Sequence, residues 1–185
     1  LEAQQMFVPN VQKINSVACL DTFINENREG VVIKPTTEGN NRGVVLLHKP
    51  TNDDVMTALA EVEEYIDSGV IAEQMIPFEK EFSYDGIGSS GFVTEKFTAP
   101  GRYPVEYAQL VPADLTAEQA GLIARAGQMA NMIVGQSFGP FHNEIRLSDD
   151  HSETAVIEAN RRPAGMKIWS LASTVFEQDL YALWI

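Results

Sequence analysis

FHNEIRLSDDHSETAVIEANRRPAG, residues 141–165, is the stretch on which the reading of this chain turns. Two alternating runs flank the polar turn SDDH, the pattern of two antiparallel strands near 140–147 and 153–160. Strand side chains alternate between faces. Phe141, Asn143, Ile145 and Leu147 therefore share one face, and His142, Glu144 and Arg146 the other. On the second strand Glu158 and Asn160 lie together, opposite Ile157 and Ala159. A turn centred near His151 sets Glu144 across from Glu158 and His142 across from Asn160. Facing carboxylates repel and raise each other's pKa unless a cation lies between them. Two carboxylates and an amide oxygen are hard ligands suited to Mg²⁺. Glu144, Glu158 and Asn160 form the candidate metal set, and Arg161 and Arg162 follow at once to meet phosphate or carboxylate oxygens. A solvated hairpin with a polar wet face fits the same alternation, and a one-residue slip of register would dismantle the site.

Working outward, the rest of the chain interleaves helices and strands. Residues 1–7 read as the tail of a helix, and Val8–Ile14 as a short extended piece opened by Pro9. Ser16 caps a helix whose apolar face carries Val17, Leu20, Phe23 and Ile24. Val31–Pro35 (VVIKP) is a strand by its β-branched residues and terminal proline. A polar loop, TTEGNNRG (36–43), and a returning strand at Val44–His48 come next. A helix opens at Thr51 or Asn52 and runs to about Ser68, acidic in its first turn as the helix dipole favours. Strands near 70–76, 81–87, 91–97 and 105–111 precede a long helix, which Thr116 and Gln119 start with a capping box and which ends near Val134. The tail, 164–185, reads as helical. Neighbouring strands joined by short turns favour an α+β fold with antiparallel sheets over a doubly wound parallel one.

Composition narrows the classes of function. Among 185 residues the formal net charge is −13, which argues against general nucleic-acid or anionic-membrane binding. An anionic ligand would need a local cluster of cations. No apolar run approaches the ~20 residues that span a bilayer, and LEAQQMF has neither the basic end nor the apolar centre of a secretory signal. Cys19 is the single cysteine, so no internal disulfide forms, in keeping with a reducing cytoplasm. Both ends read as cut, since the chain opens without Met and stops within the apolar DLYALWI. The methionines Met56, Met75, Met129 and Met132 read as core filler.

Lys34 lies inside an apolar strand, where a charge needs a reason. It serves either as a point-charge contact to phosphate or as a lysine snorkelling from a strand end. The loop Glu38–Gly43 has the glycines to fold over phosphates through its backbone N–H groups. Glu73–Ile76 closes a strand and could pair with an adenine edge, and Glu81 opens the next strand, where it could accept ribose hydroxyls.

The order of these pieces resembles the ATP-grasp superfamily: VVIKP, a polar glycine loop, a helix, AEQMI with Glu81 soon after, HNE, then IEANRRPAG. The resemblance runs from about Val8 to Gly165. It implies two α+β subdomains gripping ATP, here 1–76 and 77–185, the first carrying the nucleotide lysine and loop, the second the metal-binding hairpin. It implies a ligase that activates a carboxylate as an acyl phosphate and joins it to an amine, with ATP and Mg²⁺ (Mn²⁺ as an alternative). By residue, it makes Lys34 the phosphate lysine and Glu73 and Ile76 the adenine hinge. Glu81 becomes the ribose acid, Glu144, Glu158 and Asn160 the metal ligands, and Arg162 the arginine facing phosphate or acyl phosphate. TEKFTAPGRYPVEYAQLVPADLT (94–116) is most similar to L-amino acid ligases; biotin-carboxylase-like and purine-pathway ligases are similar too. The partners implied are a small carboxylate and an amine, with a homodimer in the full-length cytoplasmic enzyme. Glu106 and His142 fall on the acceptor side by position.

Overall fold

The computed structural model describes residues 5–39 and 41–185. In chain order the elements are β1 (Gln5–Met6), β2 (Val11–Ile14), α1 (Val17–Glu26), β3 (Gly30–Pro35), β4 (Val45–His48) and α2 (Asn52–Val62). A 3-10 turn (Glu63–Ser68) leads to β5 (Val70–Gln74), β6 (Lys80–Ile87), β7 (Ser90–Ala99) and β8 (Val105–Leu110). Then come α3 (Ala117–Ile133), β9 (Pro140–Leu147), β10 (Glu153–Asn160), α4 (Ile168–Val175) and α5 (Leu180–Trp184). The chain divides into two compact units, one formed by residues 9–76 and 99–105, the other by 1–8, 77–98 and 106–185. No helix of the described residues is long and apolar enough to cross a membrane.

The unit around 9–76 is a four-stranded antiparallel sheet, β2-β5-β3-β4, with α1 and α2 on one face. Register explains which side chains meet the helices. Val31 stands opposite Leu47, and Ile33 opposite both Val45 and Ala72, so these buried residues share one face. Leu20, Phe23 and Ile24 of α1 and Val55, Ala58 and Val62 of α2 cover it. Ser16 accepts from the amide of Cys19 at 3.1 Å, which starts α1. Thr51 and Asp54 form a reciprocal capping box that starts α2. The helix expected to reach Ser68 tightens instead into the 3-10 turn and stops at Gly69, whose φ of 110° excludes ordinary L residues.

The other unit is a six-stranded sheet, β1-β10-β9-β6-β7-β8. Phe82, Phe141, Ile145 and Leu147 pack on its inner face against Ile123 and Ala126 of α3. The helix comes close at Gly127, where a Cβ would stand 2.5 Å from Tyr84 Cδ1. Asn143 also lies on this face, fully buried. Its Nδ2 donates to Gly127 O at 3.1 Å and to Asn131 Oδ1 at 2.8 Å. Thr116 and Gln119 cap α3 as the sequence predicts. Beyond the hairpin, Trp169 forms the centre of a small separate core with Val111, Ile168 and Leu180.

Two expectations fail. The opening segment is not helical where it is described: Gln5 and Met6 pair in parallel with Glu153 and Thr154, because the outer edge of β10 offers them a ladder of backbone partners. Residues 1–4 lie outside the described residues. Met56, Met129 and Met132 are exposed rather than core filler, since their positions on α2 and α3 face away from the sheets.

Candidate functional site

The six-stranded sheet turns a second face away from α3, and that face is polar. Cross-strand partners point to the same side. Glu81, Ser83 and Asp85 of β6 stand opposite Arg146, Glu144 and His142 of β9. On the flank, Thr94 and Lys96 of β7 pair with Ser83 and Glu81. On the other flank, Glu158 of β10 pairs with Glu144, and Asn160 with His142. Strand pairing, with an irregularity between Val156 and Glu158, thus gathers Glu81, Glu144, Glu158 and Asn160 on one surface, together with a set of charges that the sequence reading missed.

Lys96 is at the centre of that set, with only 4% of its side chain exposed. Its Nζ lies 2.5 Å from Glu144 Oε1, 3.2 Å from Glu81 Oε1 and 3.1 Å from Glu106 Oε2. Glu81 also meets Arg146 Nη2 at 3.4 Å, and Arg146 Nη1 donates to the carbonyl of Phe78 at 3.0 Å. On the far side of Glu144, His142 Nε2 is 3.2 Å from Oε1, while His142 Nδ1 is 2.6 Å from Asp85 Oδ1. Asp85 is wholly buried and also accepts from Ser83 and Thr94, at 2.5 and 2.9 Å.

Each of these groups carries the charge its neighbours favour. Burial works against the Lys96 ammonium, but Glu144 and Glu81 outweigh it and hold its pKa above the usual lysine range. Burial likewise opposes the His142 imidazolium, yet hydrogen bonds to Asp85 and Glu144 raise its pKa to about 9. For Glu144 burial favours the neutral acid, and the hydrogen bond from His142 with the charge of Lys96 reverses this, lowering its pKa to about 2. Glu144 is therefore a carboxylate across the whole physiological range.

The donor set fits a hard divalent cation. Glu144 Oε1 meets both Lys96 and His142, and among the described residues its Oε2 enters no hydrogen bond. Glu158, directly opposite, is exposed and, among the described residues, enters neither a side-chain hydrogen bond nor an ion pair. Asn160, next on the same face, has a buried Nδ2 without a partner. Two carboxylates and the carbonyl oxygen of Asn160 are hard oxygen donors that suit such an ion, while the unpaired Nδ2, a donor, takes no part in ligation. Among the described residues no group of three or more His, Cys, Asp or Glu is arranged for a metal, so the set rests on the asparagine as its third member.

Comparison with solved structures places this architecture. N5-carboxyaminoimidazole ribonucleotide synthetase in complex with ADP superposes with a TM-score of 0.71 at 25% identity, over 90% of this chain and 43% of that one. The L-amino acid ligase of Bacillus licheniformis gives 0.70 at 22% identity, over 91% and 40%. The N5-carboxyaminoimidazole synthase of Aspergillus clavatus, solved with ADP and 5-aminoimidazole ribonucleotide, gives 0.66 at 16% identity, over 89% and 42%. The chain has the ATP-grasp fold. It spans less than half the length of these three proteins. No protein-family model matches the sequence, and no curated protein matches it. The likeness to the L-amino acid ligase is close to that to N5-carboxyaminoimidazole ribonucleotide synthetase, so the ATP-grasp fold does not choose between them.

The residues expected to meet nucleotide are divided between the two ATP-grasp units. Lys34 and Glu73 lie on the face of the four-stranded sheet opposite α1 and α2, where Lys34 Nζ meets Glu73 Oε2 at 2.6 Å. The backbone of Glu73 is flanked on both sides, by Val11 of β2 and Val32 of β3. What Glu73 offers outward is its carboxylate. Ile76 lies past the end of β5, and its peptide enters no turn or loop hydrogen bond. In the glycine loop the amides of Arg42 and Val44 are spent on Gly39 O and Asn41 O, so these two N–H groups close local turns. Arg162, two residues after Asn160, is exposed and, among the described residues, its side chain donates only to the carbonyl of Pro163, at 3.1 Å. Arg161 is held by Gln136 Oε1 at 3.0 Å. A buried charge inside a strand singled out Lys34, and the same argument applied to TEKFTA would have found Lys96.

Proposed function

We propose that this chain is the nucleotide-gripping core of an ATP-dependent ligase that joins a carboxylate to an amine. The observation that carries the reading is the pairing of Glu144 with Glu158, with Asn160 beside them, on the polar face of an ATP-grasp sheet. A carboxylate oxygen of the substrate takes the γ-phosphoryl group and ADP leaves. The amine nitrogen then attacks the acyl carbon, loses a proton and expels phosphate. When bound, Mg²⁺ or Mn²⁺ offsets the charge on the phosphates. Glu144, Glu158 and Asn160 hold that ion. Lys34 contacts phosphate as a point charge, Ile76 presents its backbone to adenine beside Glu73, and Glu81 accepts from ribose. Arg162, unpaired and exposed, meets the phosphate or acyl phosphate as a fork of N–H donors. Residues 1–76 and 77–185 would be the two gripping subdomains of a soluble, cytoplasmic enzyme.

The substrate pair follows from a choice between two readings. The stretch 94–116 favours an amino-acid ligase forming a peptide bond, whereas the likeness to carboxyaminoimidazole ribonucleotide synthetases favours a ribonucleotide amine. The deciding experiment is phosphate release by the full-length protein with ATP and Mg²⁺. One arm presents pairs of L-amino acids, the other 5-aminoimidazole ribonucleotide with bicarbonate. Stimulation in the first arm supports the peptide-forming ligase and in the second the purine-pathway one. Tight ATP binding with release in neither arm would reduce the protein to a nucleotide-binding module.

A further inference from the structure

Asp85 has no assigned part in the ligase chemistry, yet the chain buries it completely in the middle of β6. A buried carboxylate is costly unless it is paired and hydrogen-bonded, and here every donor is supplied. Ser83 and Thr94 satisfy Oδ2, and His142 Nδ1 satisfies Oδ1 at 2.6 Å. With that nitrogen committed, the imidazole cannot turn about its bond to Cβ without losing Asp85. Its other nitrogen is thereby aimed at Glu144 Oε1, 3.2 Å away, where Lys96 also arrives. Glu144 is fixed by one oxygen from two sides, and only Oε2 is left to turn toward Glu158. We propose that Asp85 and His142 are positioning residues, a tether that fixes the rotamer of Glu144 and so selects the single oxygen it presents to the divalent cation.

This rests on the reading of Glu144 and Glu158 as metal ligands. Carboxylate–histidine pairs behind a metal ligand restrict its orientation, and losing one typically costs ~10–100-fold in metal affinity. Here the histidine holds a ligand and does not itself bind the ion, so its effect travels entirely through the geometry of Glu144. A buried Asp85–His142 pair that merely stabilised the sheet would change melting temperature and leave metal affinity alone.

The test is Mn²⁺ titration of the full-length protein with ADP, followed by electron paramagnetic resonance, with melting temperature and metal-free ADP affinity measured alongside. Glu158→Gln should abolish tight Mn²⁺ binding. His142→Phe, which keeps the bulk and loses both hydrogen bonds, and Asp85→Asn, which weakens the tether, should each lower Mn²⁺ affinity ~10-fold or more with metal-free ADP affinity unchanged. His142→Gln, which can still donate to Glu144, should recover part of the loss. Wild-type Mn²⁺ affinity in whichever of the His142 and Asp85 variants folds, beside a loss in Glu158→Gln, overturns the tether. Wild-type Mn²⁺ affinity in Glu158→Gln overturns the metal reading itself.

Discussion

Glu158 stands directly across from Glu144 one step out of the register with which their hairpin begins. The ladder starts as Thr154–Leu147, Ala155–Arg146 and Val156–Ile145, then resumes as Glu158–Glu144, skipping Ile157. Continued without that bulge, the ladder would set Glu158 against Asn143, on the face that packs against α3. The extra residue returns the carboxylate to the polar face, as bulges beside functional sites often do. The pairing expected from a turn centred near His151 is therefore present, but the bulge produces it.

The two carboxylates of this pair should respond differently to loss of charge. Glu158 is exposed and its side chain has no partner among the described residues, so Glu158→Gln should leave stability within about 0.5 kcal/mol of wild type. Glu144→Gln strands Lys96 and His142 and should cost ~1–3 kcal/mol. Both should abolish phosphate release by the full-length enzyme. Urea unfolding and turnover, measured on the two variants together, check this. Equal losses of stability would mean that Glu158 has a structural partner.

Lys96→Met should be strongly destabilising, because this lysine is buried among carboxylates. It leaves Glu81, Glu106 and Glu144 facing one another without their shared cation, and breaking a buried pair in this way costs ~3–5 kcal/mol. Protonation relieves that repulsion. The gap in stability between variant and wild type should therefore be widest near neutral pH and narrow as the carboxylates protonate on acidification. Chemical denaturation across that range tests it, and a gap independent of pH would show that lost packing, not unpaired charge, is the cause.

The capping box of α2 gives a separate pH signature. The side chain and backbone of Thr51 hydrogen-bond the Asp54 carboxylate and hold its pKa below the usual aspartate range. A depressed carboxylate contributes stability that is complete above its unfolded pKa and is lost as pH falls through the folded one. Asp54→Ala should therefore lower the melting temperature near neutral pH, and the difference from wild type should shrink in strong acid. A difference that persists there would assign the effect to hydrogen bonds that the uncharged carboxyl still makes with Thr51, since alanine is the better helix former of the two.

Local signals made much of this fold legible. Ser16, Thr51 and Thr116 mark the helix starts, VVIKP marks β3, and the alternation in 140–147 fixes which residues of the first hairpin strand share a face, whereas the bulge at Ile157 carries no such signal. Contacts made at long sequence separation were not legible. Nothing near Gln5 announces a parallel partner at Glu153, and nothing near Lys96 announces Glu144 or Glu106. Glu73 was read for its backbone because it ends a strand. The sheet order β2-β5-β3 puts that backbone between two neighbours and leaves its side chain to Lys34.

That ion pair sets the last prediction. Lys34 and Glu73 are 23% and 18% exposed, and a pair so close to water contributes little to stability, ~0–1 kcal/mol. Lys34→Met should therefore fold almost as well as wild type. If the ammonium meets phosphate, the same substitution removes a charge-assisted hydrogen bond worth ~1.5–3 kcal/mol, roughly 10- to 150-fold in nucleotide affinity. Glu73 competes for that ammonium. Glu73→Gln frees it, so nucleotide affinity should hold or rise, and the double variant should bind as weakly as Lys34→Met alone. Calorimetric titration of the full-length protein with a non-hydrolysable ATP analogue and Mg²⁺ measures all three. Unchanged affinity in Lys34→Met would remove the lysine from the nucleotide site. A loss in Glu73→Gln as large as in Lys34→Met would mean that the ion pair orients the lysine instead of restraining it.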